Sequence, residues 1–404
     1  MIEESAFSLM SKRMKSSVIR ELLRDTGVET LISFGGGAPD PETFDREAMA
    51  EIAKEVILNE YKFALQYGPT EGDNILKNEY LKLLKERNDI SGLTNDNLLV
   101  TTGSQQALDL IGRVFLDNDS YVIVGHPVYL GAAGAFRAYG PKFITVDIED
   151  DGLNLDQLEK ELKKLDQKKA LSKVKFIYSV PNFDNPSGVT LSLEKRKRLV
   201  DLSQKYNILI IEDDPYGELR YEGEPLPDLY KIAEGHNVIL LNTLSKVMSP
   251  GLRIGLIVGN ESLIAKTALA KQSVDLCTPG LTQRIAARYI QKGTVFDRIK
   301  NSIKIYRSKK NKMLAALEKY VIIDGVKWTK PEGGLFIWLH LPDKFDTMEL
   351  FEMAKGVGVA YIPGAAFYVD DRKSSEMRLS FCLPSEEEIE EGIKRIGKLV
   401  KSYR

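Results

Sequence analysis

The chain has 404 residues, of which 43% are hydrophobic and 28% charged, and its formal net charge is −2. That length suits one large and one smaller domain, and that balance suits a globular chain. It offers no basic surface for nucleic acid or an anionic membrane. The two cysteines, Cys277 and Cys382, and the three histidines, His126, His236 and His340, form neither a disulfide framework nor a metal-ligand spacing. No metal is expected, and a reducing cytoplasm fits. Residues 1–23 carry Glu3 and Glu4 and no long apolar core, unlike a signal peptide. No stretch approaches the ~20 apolar residues of a membrane span.

Residues 1–30 place Met10, Met14, Val18, Leu22 and Leu23 near helical spacing, which predicts an amphipathic helix. Leu31-Ile32-Ser33-Phe34 is then broken by Gly35-Gly36-Gly37-Ala38-Pro39-Asp40-Pro41, which predicts irregular backbone. A helix is predicted from Asp45 to near Asn59. From about residue 95, short apolar runs alternate with helical patterns. Strands are predicted over 98–101, 121–124, 143–146, 174–180, 208–211, 238–241 and 254–258, with helices over 104–115, 155–169 and 192–206. This is the pattern of an α/β fold whose mainly parallel sheet is covered by helices. After about residue 285 the pattern changes to one long helix over 281–320, strands over 333–339, 359–362 and 377–382, a helix near 347–356 and a closing helix over 385–402. That predicts a smaller α+β domain. The expected division is 1–44 (helix and glycine turn packing with the small domain), 45–285 (large domain) and 286–404 (small domain).

Ligands of parallel sheets bind at the carboxyl ends of strands, and four polar groups fall at such ends here. The first is Thr102-Gly103-Ser104-Gln105-Gln106, between a strand and a helix. Helix N-terminal N–H groups bind phosphate, although a plain turn capped by Ser104 would read the same. The second is Asn185-Pro186-Ser187-Gly188, equally readable as a turn. The third is Glu212-Asp213-Asp214-Pro215-Tyr216, where acids abut a buried strand. A carboxylate facing a pyridine nitrogen, a solvated loop acid and a metal-binding pair are its three readings. The fourth is Lys246, with Thr243, Ser245 and Arg253. Burial frees a lysine amine as a nucleophile toward carbonyls, and hydroxyls with a guanidinium suit a phosphate dianion. Pyridoxal 5'-phosphate, an aldehyde carrying a phosphate, suits the set.

These motifs occur in order with Tyr67-Gly68-Pro69-Thr70-Glu71-Gly72, Pro127-Val128-Tyr129, Pro331-Glu332-Gly333-Gly334 and Met377-Arg378-Leu379-Ser380. The chain thereby resembles, over nearly its full length, the class I/II aminotransferases of pyridoxal-phosphate fold type I. It is most similar to the archaeal aromatic, 2-aminoadipate and kynurenine aminotransferase branch, which shares an opening like Ile32-Ser33-Phe34-Gly35-Gly36-Gly37-Ala38-Pro39.

The resemblance implies roles. Lys246 would bond the cofactor as a Schiff base and then move a proton at the substrate Cα. Asp213 would hold the pyridinium N–H, Tyr216 and Asn185 the 3'-oxygen, and Tyr129 would stack on the ring. Ser104, Gln105, Thr243, Ser245 and Arg253 would bind phosphate, joined by Tyr67 of the neighbouring subunit in a homodimer. Arg378, with Asn185, would clamp the substrate α-carboxylate as a bidentate fork. Residues 16–23, Gly36 and Gly37 would cover the substrate side chain, with Arg20 or Arg24 able to meet a distal carboxylate. Thr243 stands where many relatives carry serine, and the hydroxyl is kept. No equivalent is found of the second arginine with which aspartate aminotransferases read a side-chain carboxylate. The expected activity is ping-pong transfer from an aromatic or long-chain 2-amino acid, including 2-aminoadipate, to a 2-oxo acid such as 2-oxoglutarate. The alternatives are a β/γ-lyase on the same fold and an aminotransferase-like regulatory domain.

Overall fold

The computed structural model describes residues 3–16, 31–370 and 372–403. The strands in chain order are β1 (Ile32–Ser33), β2 (Leu98–Thr101), β3 (Tyr121–His126), β4 (Lys142–Glu149), β5 (Gly152–Leu153), β6 (Val174–Ser179), β7 (Leu209–Asp214), β8 (Val238–Thr243), β9 (Gly255–Val258), β10 (Lys327–Trp328), β11 (Phe336–His340), β12 (Val359–Ala360), β13 (Ile362–Pro363) and β14 (Glu376–Ser380). Among the described residues, the large sheet has the order β2-β9-β8-β7-β6-β3-β4-β5. β8, β7, β6, β3 and β4 are mutually parallel, β9 is antiparallel to both its neighbours, and β5 turns back on β4. The central strands are apolar on both faces because helices cover both. One core cluster takes Leu99, Val122, Phe176, Ile211 and Leu241, and the other takes Val100, Ile123, Ile177, Ile210 and Leu240. Successive residues of one strand thus feed opposite faces.

A second, antiparallel sheet has the order β10-β11-β14-β13. β1 pairs in parallel with β12, so the segment before the glycine turn is hydrogen-bonded beside this small sheet. Asp45 caps the helix Arg46–Asn59 by accepting from Ala48 N, as the sequence predicts.

Three expectations are corrected. The long helix over 281–320 is two helices, Gly280–Gln291 and Thr294–Tyr320, parted at Gly293 with φ 73°. A glycine in left-handed conformation ends the first helix. The helix over residues 1–30 is, in its described part, only Leu9–Arg13, which ends at Met14 in extended conformation. Leu9 and Met14 are exposed, so this described stretch buries no apolar face that would extend its helix past Arg13. Val18, Leu22, Leu23, Arg20 and Arg24 lie outside the described residues. Third, β7 does not stop at Ile211 but runs to Asp214. Glu212 pairs in register with Leu240, and both its oxygens accept backbone N–H groups, from Leu229 and Tyr230 at 2.8 Å. Those donors offset the cost of burying an acid in a strand. No helix among the described residues is long and apolar enough to cross a membrane.

Candidate active site

The parallel strands β6, β7 and β8 end at one edge of the large sheet. Because β9 is antiparallel to β8 and β2, its amino end, just after Arg253, reaches that same edge, as does the carboxyl end of β2. Thr101 and Thr243 both pair with Gly255, one from each side. The sequence motifs after β2, β6, β7 and β8 and before β9 therefore converge in space.

One group forms a cradle. Gly103 has φ 81° and precedes the helix Ser104–Phe115, whose first N–H groups have no partner within the helix. A Cβ on Gly103 would stand 2.2 Å from Arg253 Nη2, so only glycine lets the guanidinium close over the loop. Arg253 is exposed, and its Nη2 donates to Thr102 O at 3.4 Å. Beneath, Thr102 Oγ1 and Gln106 Nε2 donate to Asp275 Oδ2 at 2.9 and 2.7 Å, and the buried Lys271 holds Oδ1. The hydroxyls of Thr243 and Ser245 are buried and 2.9 Å apart. Backbone N–H groups, a guanidinium and hydroxyls together match a phosphate dianion. The Gln105 side chain turns away to Gly131 O at 2.9 Å, leaving its backbone N–H for the cradle.

A second group lines a ring-sized site. Asp213 is 2% exposed; its Oδ2 accepts from Tyr178 OH at 2.7 Å, while its buried Oδ1 has no partner. Burial pushes this carboxyl up to about 7, against the pull of the Tyr178 donor and with the push of Asp214 and Asp184. A buried carboxylate oxygen without a donor is costly. A protonated ring nitrogen is the donor it lacks, so the residues present fit a pyridoxal cofactor. Tyr129 is part-buried beside this site, and burial raises its phenol above the ordinary range.

The third group faces the substrate side. Arg378 is 2% exposed; Nη1 donates to Asn185 Oδ1 at 2.8 Å and Nη2 to Gly35 O at 2.7 Å. Its guanidinium lies 4.2 Å from the Phe336 ring centre and 5.0 Å from that of Phe367, and Nε has no partner. Among the described residues no carboxylate pairs with it, and burial lowers it to about 10. Asn185 Nδ2 donates to Tyr216 OH at 3.4 Å, so one amide joins Arg378 to Tyr216. Lys246 Nζ stands 5.9 Å from the Tyr216 ring centre and donates to Gly37 O at 2.8 Å. Burial pushes Lys246 down to about 8, with Arg378 and Arg253 acting the same way. A Cβ on Gly37 would meet Phe336 Cζ at 2.8 Å, so the turn can lie this near only without a side chain.

Tyr67 does not join these groups within one chain; it is 79% exposed. Residues that sequence reasoning passed over are Tyr178, Phe336, Phe367, the Gly35 carbonyl and Cys382, whose thiol donates to Ala38 O at 3.0 Å. All sit in apolar or glycine-rich runs whose local signal is core or turn. The alternation of β6 does place Tyr178 on the Asp213 face, and that was the available clue.

Comparison with known proteins follows the same lines. Residues 29–396 match the family model of aminotransferases of class I and II. The aromatic-amino-acid aminotransferase 1 of Thermococcus litoralis is 45% identical over 98% of this chain and 94% of its own. The 2-aminoadipate transaminase of Thermus thermophilus is 38% identical over 98% of this chain and 96% of its own. Among solved structures, the Pyrococcus horikoshii kynurenine aminotransferase, in complex with PMP, superposes with a TM-score of 0.94 at 43% identity, covering 98% of this chain and 97% of that one.

Proposed function

This chain belongs to the class I and II aminotransferases, and we propose that it transfers the amino group of an aromatic or long-chain 2-amino acid, 2-aminoadipate included, to 2-oxoglutarate in a ping-pong cycle. Its cofactor is pyridoxal 5'-phosphate. The names of its relatives support that range of donors. The observation that carries the substrate reading is Arg378. A fully buried guanidinium with no carboxylate partner is costly unless an anion arrives. Its fork is already held by Asn185 and Gly35, so a bound α-carboxylate meets a donor that needs no reordering.

The bound cofactor supplies a carbonyl that takes up the amino group and a cationic ring that draws electrons from the substrate Cα. The chain's residues do the rest. The cradle of Ser104 and Gln105 N–H groups, Thr243, Ser245 and Arg253 anchors the phosphate. Asp213 Oδ1 would hold the ring-nitrogen proton, and Tyr129 would cover the ring face. Tyr216 and Asn185 hydrogen-bond the 3'-oxygen. Lys246, neutral above about pH 8, would be the amine that holds the cofactor and the base that moves the proton at the substrate Cα. Arg378 and the Gly37 turn orient the substrate over that lysine. The reading keeps residues 1–44 with the small sheet, because β1 pairs with β12 and Gly35 O binds Arg378 of β14. The exposed apolar run of Leu58, Tyr61, Leu65 and Tyr67 supports a homodimer in which Tyr67 of one subunit completes the phosphate cradle of the other.

A half-reaction screen tests this. Aromatic amino acids and 2-aminoadipate, added without acceptor, are expected to discharge the visible band of the holoenzyme. 2-Oxoglutarate should restore it, and Lys246→Ala should neither show the band nor turn over. Release of ammonia and a keto acid from a single substrate would instead establish a lyase.

A further inference from the structure

We propose that Tyr178 is a positioning residue of the reaction: its phenol holds Asp213 Oδ2, keeping that carboxylate ionised and its free Oδ1 turned to the cofactor's ring nitrogen. The proposal rests on the reading of the site as a pyridoxal-phosphate centre. β6 and β7 are parallel neighbours in which Tyr178 pairs with Ile211, and Asp213 lies two residues beyond Ile211. Two residues along a strand restore the same face, so phenol and carboxylate project to the same side. Both are 2% exposed, and the contact is 2.7 Å. The phenol ring cannot swing away, because Phe136 packs edge-on against it at 5.6 Å and against Phe176 behind it at 5.0 Å.

Tyr178 is the one side-chain donor to Asp213 among the described residues. The other titratable groups that face Asp213, namely Asp214, Asp184 and the Tyr129 and Tyr216 phenols, supply no positive charge, and the two acids oppose its ionisation. Burial has already brought the carboxyl up to about 7, and the phenol is what opposes a further rise. Without it the acid would keep its own proton to higher pH, and a neutral acid offers no negative charge to balance a protonated ring nitrogen. Tyrosine suits the task. Burial and Asp213 itself raise the phenol well above its ordinary range, so it donates at every working pH, whereas a histidine there would titrate.

The test uses cofactor-free protein regenerated from the holoenzyme. Tyr178→Phe keeps the ring and its packing and removes the donor. It should bind pyridoxal phosphate about tenfold more weakly than wild type at pH 8, the value of one hydrogen bond to a charged group. The analogue with CH in place of the ring nitrogen has no proton for Asp213, and both proteins should bind it equally. Equal affinity of the two proteins for pyridoxal phosphate overturns the proposal, as does equal weakening toward both ligands, which would mark a packing defect. Should the Tyr178→Phe variant not fold, 3-fluorotyrosine at position 178, a stronger donor of nearly the same shape, is expected to tighten pyridoxal phosphate alone at pH 6, below the carboxyl's value of about 7; no change there overturns the proposal. Failure of the wild-type protein to bind pyridoxal phosphate at all would instead overturn the assignment of the site.

Discussion

Lys246 shows what burial does to one residue. Its amine sits beside Tyr216 and under the Gly37 carbonyl, near two guanidinium groups and with no carboxylate partner among the described residues. Desolvation and like charge both disfavour the ammonium form, so the folded-state value falls to about 8 from 10.5. The sign of the consequence is fixed. Below about 8 the folded protein holds the proton and the amine is no nucleophile; above it the amine is free. Covalent attachment of pyridoxal phosphate to the cofactor-free protein is therefore expected to speed up with rising pH and to level off past a midpoint near 8. Stopped-flow absorbance across pH 6–10 measures it. A rate still climbing through about pH 10, as for an ordinary lysine, would show that the amine is not desolvated.

At the scale of elements, the loop after β6 and the acids of β7 depend on one buried arginine. Arg196, on the helix Leu193–Tyr206, is wholly buried. It donates to Leu191 O, Pro227 O and Pro181 O at 2.9–3.0 Å and to Asn182 Oδ1 at 2.6 Å. Glu212, Asp214 and Asp228 are buried close enough to favour its charge. Arg196→Met keeps much of the bulk and leaves those carboxylates uncompensated. A loss of ~3–5 kcal/mol is expected, read as a lower denaturant midpoint, together with weaker cofactor binding as Asn185 loses its loop. An unchanged midpoint would show that Asn182 and the backbone donors suffice. This arrangement also marks how far the sequence is legible. The alternation of apolar runs and helices gives the central strands within a few residues; the strand-end motifs give Lys246, Asn185 and Asp213, and the family resemblance gives Arg378, which lies against Asn185. It does not give the length of β7, because Glu212 and Asp214 can stay in a buried strand only through donors from elsewhere in the chain, such as the Leu229 and Tyr230 N–H groups. Nor does it give the break at Gly293, since one glycine in a strong helical pattern reads as tolerated until neighbouring helices fix its direction. Tyr178 was hidden for the opposite reason: an aromatic in an apolar strand is ordinarily core, and only the cross-strand register reveals its partner.

At the scale of the whole molecule, one chain holds every part of the proposed site except Tyr67. Leu58, Tyr61, Leu65 and Tyr67 are more than half exposed, and Leu269, Val274 and Leu276 are also exposed. Large apolar side chains gathered in a short segment suit the homodimer proposed above. A two-fold dimer would present the same segment from each subunit. Under that geometry Lys246 and Tyr67 of one working site come from different chains, and mixing variants can tell. Tyr67→Phe and Lys246→Ala homodimers should each be impaired, the first through weaker phosphate binding and the second completely. Dissociated and reassociated at equal amounts, they should regain about a quarter of the wild-type sites, since half the dimers are hybrids and each hybrid carries one undamaged site. That recovered activity should show the wild-type affinity for pyridoxal phosphate, not the weakened one. If Tyr67 served its own chain's site, both sites of every hybrid would keep one of the two substitutions, and mixing would recover nothing.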